Sequence, residues 1–266
     1  MPAAAPRPPP PPKRTAQAPA TRPVPFVRLT LVELRKQVDT RAGVWLLAII
    51  VVLNAALSAL VLFTAEPAAR TWQDLTTASS WGQLLLLPLI GILAATGEWS
   101  QRTSLTTFTL EPRRTRVNGA KLASASLLGL GVMVGALFAG ALLNVAGVLW
   151  LDGDGSWTME WALLGGMLLA LLLLVTQGLA FGLALLSTPI AIVAYLVLPT
   201  VWTILTMLVS ALEGPARWLN LDSTIMPLMD GQMTGEAWAQ LATSSAVWIG
   251  LPLAIGLWRT ARRDVT

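Results

Sequence analysis

Cysteine and histidine are both absent from the 266-residue sequence. Their absence excludes disulfides, thiol nucleophiles, thiolate and imidazole metal sites, and every catalytic triad that uses histidine. Charge is also scarce, at 12% of residues, whereas hydrophobic residues make up 55%. An ordinary soluble domain carries about twice that share of charge, so the composition predicts a membrane protein. We expect no catalytic residue, no metal ion and no enzymatic activity in this chain.

Long uncharged runs indicate where the chain crosses a membrane. They cover residues 42–65, 75–97, 122–151, 161–212 and 237–258. A hydrocarbon core about 30 Å thick takes roughly 20 helical residues, so each run can cross it once and the 52-residue run 161–212 can cross it twice. Because proline disfavours helix at the residue before it, the long run breaks at Ser187-Thr188-Pro189. The sequence predicts an all-α fold with six transmembrane helices, at about 43–64, 76–97, 122–150, 161–186, 190–211 and 237–258.

The connections between these spans alternate in the sign of their charge. Residues 1–41 carry +6, 66–74 carry −1, 98–121 carry +3, 152–160 carry −3, 213–236 carry −3, and the tail from Arg259 carries +2. The positive-inside rule then places both termini and the segment 98–121 in the cytoplasm. Because the positive charge follows the topology and does not gather on one surface, we expect no nucleic-acid partner.

Two segments precede the first span. Ten of the eighteen prolines lie in residues 1–25, which predicts an extended, disordered cytoplasmic tail; a ligand for a proline-binding module is the alternative. Residues 26–41 mix apolar and charged side chains, as in an amphipathic helix that lies among lipid headgroups. The rest of the chain, 26–266, is predicted to form one membrane domain.

The outer connection 212–236 contains apolar side chains that are too few to span a bilayer. A re-entrant segment and an amphipathic loop on the outer surface are equally good interpretations.

The spans themselves contain polar but no charged side chains. Pumps driven by protons or sodium usually place ionisable groups there, so an ion-coupled mechanism is disfavoured. No phosphate-binding loop of the Gly-x-x-x-x-Gly-Lys-Ser/Thr type is present, so energy for transport would have to come from a partner. Hydrogen bonds between helices are the favoured role of the polar side chains, and a weakly polar substrate pathway is the alternative. The pathway candidates are Asn54, Asn144, Gln177 and Thr203.

The cytoplasmic segment 98–121 carries the most information about function. Ser100 is suited to cap a short helix, and Leu105 and Phe108 share one face of it at a spacing of three. An exposed apolar helix face is typical of a docking site for a partner groove. Physical reasoning alone favours a simpler interpretation, in which the arginines set the topology and the apolar side chains enter the headgroup layer.

Three stretches in order resemble a known family. Gly97-Glu98-Trp99 with Thr103, Thr107, Leu110, Pro112-Arg113-Arg114 and Ala120-Lys121-Leu122 resembles the coupling segment of ABC-2 type transporter permeases, in particular actinobacterial exporters. Glu33-Leu34-Arg35-Lys36 through Asp39-Thr40-Arg41-Ala42-Gly43 resembles the interfacial helix of that family. Leu251-Pro252-Leu253 through Trp258-Arg259 and Arg262-Arg263-Asp264-Val265 resembles its C-terminal pattern. Arg102 departs from the pattern, since many members have glycine there.

The resemblance covers residues 28–266 and implies a multi-pass permease subunit of a bacterial plasma-membrane exporter. Such a subunit binds no cofactor itself; ATP and Mg²⁺ belong to a separate ATPase subunit, present in two copies beside two permease copies, most simply a homodimer. Docking then becomes the better interpretation of the segment. The implied docking residues are Arg102, Thr103, Leu105, Thr106, Phe108, Thr109 and Leu110. Charged residues expected at the membrane boundary are Glu98, Arg35, Lys36, Arg41, Arg113, Arg114 and Lys121.

At the boundary, we expect an arginine of the interfacial helix or the loop to pair with Glu98. Besides membrane lipid, the ATPase and the second permease copy are the expected partners. An ion-coupled secondary transporter and a membrane assembly or anchoring protein without transport are the two rival functions.

Overall fold

The protein is described by a computed structural model that covers residues 24–101, 103, 105, 107, 109 and 111–262. Its long helices, in chain order, are α1 (Phe26–Asp39), α2 (Arg41–Thr64), α3 (Trp72–Ser100), α4 (Arg114–Trp150), α5 (Trp161–Leu185) and α6 (Thr188–Leu208). Two short helices follow, α7 (Glu213–Leu219) and α8 (Leu221–Met229). The last helix runs as α9 (Gly235–Ser245), a π-helical turn (Ala246–Gly250) and α10 (Leu251–Arg262).

Six of these helices are long and apolar enough to cross a membrane. They are α2, α3, α4, α5, α6 and the continuous helix Gly235–Arg262. No strand occurs in the part of the chain that the structure describes. The protein is therefore all-helical, with the character of a multi-pass membrane protein.

The helices alternate in direction, so the connections gather at two ends of the bundle. At one end the α3 terminus meets the start of α6 through Ser100 and Thr188, whose hydroxyl oxygens are 2.9 Å apart. The Arg114 guanidinium at the start of α4 donates to the carbonyl oxygen of Thr260 near the end of α10. At the opposite end, the Trp72 amide donates to the Ser156 carbonyl oxygen at 3.1 Å. The basic connections of the sequence thus share one end, here named the basic end.

Helices α3 and α5 form the centre of the bundle, because glycines let their backbones touch. A methyl group at Gly178 would lie 1.8 Å from the Pro88 carbonyl oxygen, and one at Gly91 would lie 2.2 Å from that of Val175. Side chains larger than hydrogen cannot occupy either position. Between membrane helices, where lipid is as apolar as leucine, such close packing replaces the hydrophobic effect as the source of association.

Helix α6 is the most exposed of the six. Only 6% of its apolar window is buried in the bundle, against 67% for α5. Ala191 is the buried residue of this helix. Its exposed apolar surface is consistent with contact with lipid.

The connection 212–236 packs onto the bundle. Leu221, Ile225 and Leu228 of α8 are buried in one apolar cluster with Ala170 and Leu174 of α5. Gly166 lies under α8, since a methyl group there would be 1.8 Å from the Leu228 carbonyl oxygen. The contact with the bundle belongs to α8, since α7 has no buried residue.

Several helix limits differ from those expected from hydropathy. α4 begins at Arg114, eight residues before the uncharged run, and α6 ends at Leu208 instead of continuing to residue 211. α3 continues to Ser100, so the expected capping of a new helix by Ser100 is wrong. Hydrogen bonding along the backbone continues through charged residues, whereas hydropathy stops at the first of them. The break at Ser187 lies where proline predicts it, with Pro189 in the first turn of α6.

Candidate functional site

The first helix packs against the start of α4 through a matched pair of faces. On α1, Leu29 is buried against Val117 and Ala120 of α4. One turn or two further along, the Gln37 side-chain amide donates to the Ser124 hydroxyl at 2.7 Å. The spacing of eight residues on α1, and those of three, four and seven on α4, put these side chains on one face of each helix.

Four charged side chains from three helices meet beside this contact, and we name them the ion-pair cluster. They are Glu33 and Lys36 of α1, Glu98 of α3 and Lys121 of α4. The Lys36 ammonium donates to both carboxylates, at 2.7 Å from Glu33 Oε1 and 2.7 Å from Glu98 Oε1. Lys121 Nζ lies 3.4 Å from Glu33 Oε2 and 3.1 Å from Glu98 Oε2. Each lysine therefore bridges both carboxylates, and the cluster is neutral overall.

Three members of the cluster are removed from solvent. Glu33 and Lys121 are 2% exposed and Glu98 is 5% exposed. Lys121 also donates to the Ala94 carbonyl oxygen at 2.9 Å, whereas its contacts with the two carboxylates are ion pairs and Glu98 Oε2 accepts no hydrogen bond from the described residues. Buried charges are tolerated only when they are paired and hydrogen-bonded, so removal of one member leaves the others in a costly state.

Lys36 is the half-buried member of the cluster. Burial by itself lowers the pKa of its ammonium group. The hydrogen bonds to Glu33 and Glu98 and the two negative charges act in the opposite direction, and the net pKa lies above the ordinary value of 10.5. The amine is therefore fully charged at neutral pH, and only two of its three N–H groups are used within the cluster.

The segment between α3 and α4 is tied directly to this cluster. The Thr107 hydroxyl donates to Glu98 Oε1 at 2.7 Å, and the Thr103 amide donates to the Glu98 carbonyl oxygen at 2.9 Å. Residues 105, 107 and 109 are helical. At the far end of the segment, the buried Glu111 carboxylate accepts from Arg116 at 2.8 Å. Movement of the segment must therefore displace Glu98 or break these bonds.

A large cavity opens beside the cluster at the basic end. Its volume is about 1040 Å³, and α1, the start of α2, the end of α3, α4 and the segment line it. Apolar side chains of the spans and charged or polar ones of α1 and the segment share the wall. The apolar contributors include Leu46, Leu47, Ile90, Leu93 and Leu128.

The predicted docking residues lie on this segment. Leu105 is 55% exposed, and Thr103 and Thr109 are also exposed. Arg102, Thr106, Phe108 and Leu110 lie outside the described residues, as does the proline-rich tail up to residue 23.

The predicted boundary charges separate into those that meet Glu98 and those that do not. Lys36 and Lys121 pair with it, so its ion-pair partners among the described residues are lysines, whereas an arginine was expected. Arg35 instead pairs with Asp39 at 2.9 Å on the exposed side of α1. The remaining three lie elsewhere at the basic end: Arg41 is exposed, Arg114 reaches α10, and the Arg113 amide donates to Glu111 at 3.3 Å.

No family model, curated protein or solved structure matches this chain.

The four pathway candidates lie on separate helices and outside the cavity lining. Asn144 of α4 donates to the Ser156 carbonyl oxygen at 3.2 Å, and Thr203 of α6 accepts from Asn220 at 3.3 Å. Asn54 and Gln177 are buried in α2 and α5. The hydrogen bonds of Asn144 and Thr203 hold the bundle to its own connections, as expected for polar side chains between helices.

Glu33 is the member of the site that sequence reasoning did not select. Its position three residues before Lys36 indicates an ordinary surface pair within one helix. The sequence nevertheless indicated that Glu33 could be buried. Leu29, Glu33 and Lys36 share a helical face, and the apolar Leu29 on that face predicts burial of its neighbours. Within the described residues, no group of three or more carboxylates gathers where it would hold a metal ion.

Proposed function

We propose that this chain is the membrane-spanning subunit of an ATP-binding-cassette exporter. Two copies would work with two copies of a separate ATPase subunit in a bacterial plasma membrane, with the basic end in the cytoplasm. ATP hydrolysis in the partner would drive alternating access and move a substrate outward. The resemblance of three sequence stretches to ABC-2 permeases supports the proposal.

The observation that carries the proposal is the hydrogen bond from Thr107 to Glu98. It connects an exposed helical segment to a buried cluster that holds α1, α3 and α4 at once. Because separated buried charges cost several kcal/mol each, the cluster transmits displacement instead of absorbing it. A push on Leu105 would therefore reach three helices, two of which are candidate spans.

The need for an external source of energy also supports a partner subunit. The sequence contains no phosphate-binding loop, so this chain has no recognised means of holding ATP itself. Leu105 presents a leucine side chain that is 55% exposed at the end of the bundle where the basic connections gather. An apolar side chain that enters a pocket is the usual centre of a protein interface.

Purification of the tagged full chain from its native membranes in mild detergent tests the proposal. We expect mass spectrometry to identify an ATPase subunit in a ratio of about one to one. Leu105→Ala should reduce its recovery and the ATP-dependent efflux. Leu60→Ala is the matched control, since Leu60 is 57% exposed but lies on α2.

Thr107→Val separates docking from transmission. The ATPase should still be recovered, but its hydrolysis should no longer depend on substrate, because the bond to Glu98 is lost. Unchanged recovery and efflux in Leu105→Ala would contradict the proposed docking, and recovery of no ATPase with the wild-type chain would contradict the function.

An ion-coupled secondary transporter is the second candidate. Glu98 and Lys121 are buried within α3 and α4, two helices that are long and apolar enough to cross a membrane. The spans predicted from uncharged runs ended before these two residues. Buried ionisable groups of this kind form proton relays in ion-driven carriers. Collapse of the proton gradient at constant ATP decides between the two: an ion-coupled carrier stops, whereas an ATP-driven exporter continues.

A further inference from the structure

The cavity at the basic end combines two chemically distinct walls. Leu46, Leu47, Ile90, Leu93 and Leu128, all from α2, α3 and α4, form an apolar wall. The other wall belongs to α1 and the segment, and it carries charged and hydroxyl side chains beside Leu29 and Val32. At about 1040 Å³, the cavity reaches the upper end of the range for small-molecule sites, which is about 300–1,000 Å³. Its shape and chemistry fit an amphiphile with a polar head.

The cavity lining carries four cations and four carboxylates, but one of the carboxylates pairs with Arg116 outside the lining, so one lining cation has no ion-pair partner. The ion-pair cluster is neutral, Arg35 is paired with Asp39, and Glu111 is paired with Arg116. Arg28 remains, exposed and without an ion pair among the described residues. The head that fits this wall is therefore anionic.

Two further polar groups of the wall lack partners. Lys36 has an N–H beyond those bound to Glu33 and Glu98. The side-chain oxygen of Gln37 is buried and accepts no hydrogen bond from the described residues, although the amide of the same side chain is bound to Ser124. The Lys36 N–H needs a hydrogen-bond acceptor and the Gln37 oxygen needs a donor. A phosphate joined to a hydroxyl-bearing group supplies both.

The position of the cavity favours a lipid over a soluble anion. The exposed side of α1 carries Phe26, Val27 and Leu31 together with Arg28 and Arg35, which is the pattern of a helix in the headgroup layer. The basic end is also the one that the positive-inside rule places against the anionic inner leaflet. A lipid could then enter with its head at α1 and its chains along the spans.

We propose that this cavity binds one anionic glycerophospholipid of the inner leaflet, with the phosphate beside Arg28 and Lys36 and the acyl chains against the apolar wall. The site shares Thr103 with the segment proposed for docking, but it does not include Leu105 and does not depend on ATP-driven transport. A bound lipid would fill the space between α1 and the spans, and so would hold α1 in its place beside the ion-pair cluster.

Two pairs of variants test the site in the full chain. Arg28→Gln removes the uncompensated cation, and Arg41→Gln is its control, because Arg41 is equally exposed on the next helix but does not line the cavity. Gly97→Leu adds bulk to the cavity wall, where a methyl group meets no atom within 4 Å. Gly135→Leu adds the same bulk to open space on α4.

The measurement is the dissociation constant for phosphatidylglycerol and for phosphatidylcholine with the same acyl chains, by native mass spectrometry in detergent. We expect the wild-type chain to prefer phosphatidylglycerol by about fivefold, the effect of one basic residue at an anionic surface. Arg28→Gln should remove that preference, Gly97→Leu should abolish binding of both lipids, and the two controls should behave as the wild type.

Other outcomes would overturn the proposal. Equal affinity for the two lipids, or binding that survives Gly97→Leu, would show that the lipid lies elsewhere. Displacement by glycerol phosphate at micromolar concentration would assign the site to a soluble anion. Binding that appears only after deletion of residues 1–23 would assign the cavity to that segment of the chain.

Discussion

Helix α3 makes two contacts of opposite chemistry. Near its C-terminal end, Glu98 joins α1 and α4 through buried ion pairs. Along its middle, Gly91 lies against the backbone of α5 and Pro88 lies against Gly178, with no space for a side chain at either glycine. The first contact depends on charge neutrality and the second on shape. A bundle in lipid can use both, because neither needs water to drive it.

The two contacts also differ in what they permit. The close contact between α3 and α5 fixes their separation, so these two helices should move as one body. The ion-pair cluster connects side chains with several torsions and includes the half-buried Lys36. The charged end is therefore the part of α3 that can change partners, and it is also the part to which the segment with Leu105 is attached.

Loss of Lys121 should have the largest effect. Lys121→Met leaves Glu33 and Glu98 buried with only Lys36 between them, which should cost about 3–5 kcal/mol in the free energy of unfolding. The measurement is a titration with SDS in mixed micelles. Combination with Glu98→Gln should recover part of the loss, because the pair is then removed together. An unchanged unfolding midpoint in Lys121→Met would show that the cluster is not a structural contact.

Gly178→Ala should disrupt the shape-dependent contact. The added methyl group would lie 1.8 Å from the Pro88 carbonyl oxygen, so α3 and α5 must separate. The cost of such overpacking is typically about 1–3 kcal/mol. Gly165→Ala on the same helix is the control, because a methyl group there meets nothing within 4 Å. In the same SDS titration, the unfolding midpoint of the control should not change. Equal losses of stability in both variants would show that the contact between α3 and α5 does not depend on shape at Gly178.

Thr107→Val should have a smaller effect and a local one. A hydrogen bond to a charged group contributes about 1.5–3 kcal/mol, and partial access of water to this position favours the lower end. Hydrogen exchange of the segment 103–111 should increase, while exchange at the contact of α3 with α5 should not change. Exchange that rises equally in both regions would mean that the segment and the centre of the bundle are not separate units.

Arg35→Gln should have the smallest effect. Arg35 and Asp39 form an ion pair on the same helix as Lys36, but their side chains are 82% and 60% exposed. Exposed pairs of this spacing contribute no more than about 0.5 kcal/mol. A midpoint within error of the wild type is expected in the SDS titration. A loss comparable to that of Lys121→Met would show that burial does not separate the two kinds of pair.

Much of the fold could be predicted because the length and hydropathy of uncharged runs identify membrane helices in a sequence. The uncharged runs and Pro189 indicate six helices, and the described part of the chain has six helices long and apolar enough to cross a membrane. Their ends were less predictable. Lys121 lies just before the uncharged run 122–151 but inside α4, since its charge is neutralised by residues 33 and 98, which are remote in sequence.

The candidate site could be predicted only in part. Glu98, Lys36 and Lys121 stood out as charges beside apolar runs, but the choice among seven boundary residues needed distances. Arg35 and Lys36 are neighbours in sequence and lie on different sides of α1, one paired with Asp39 and the other with Glu98. The rotation of about 100° between neighbouring residues of a helix decides this, and composition does not contain it.

Composition and charge order by themselves determined that this chain is helical, apolar and threaded in alternating directions, because lipid admits few other backbones and basic residues sort to one side. Tertiary structure alone decided which charges are buried together, where glycines bring backbones into contact and where a large cavity remains. These features depend on helix phase and on contacts between residues far apart in the chain. The order of residues in the sequence does not show directly which distant residues meet.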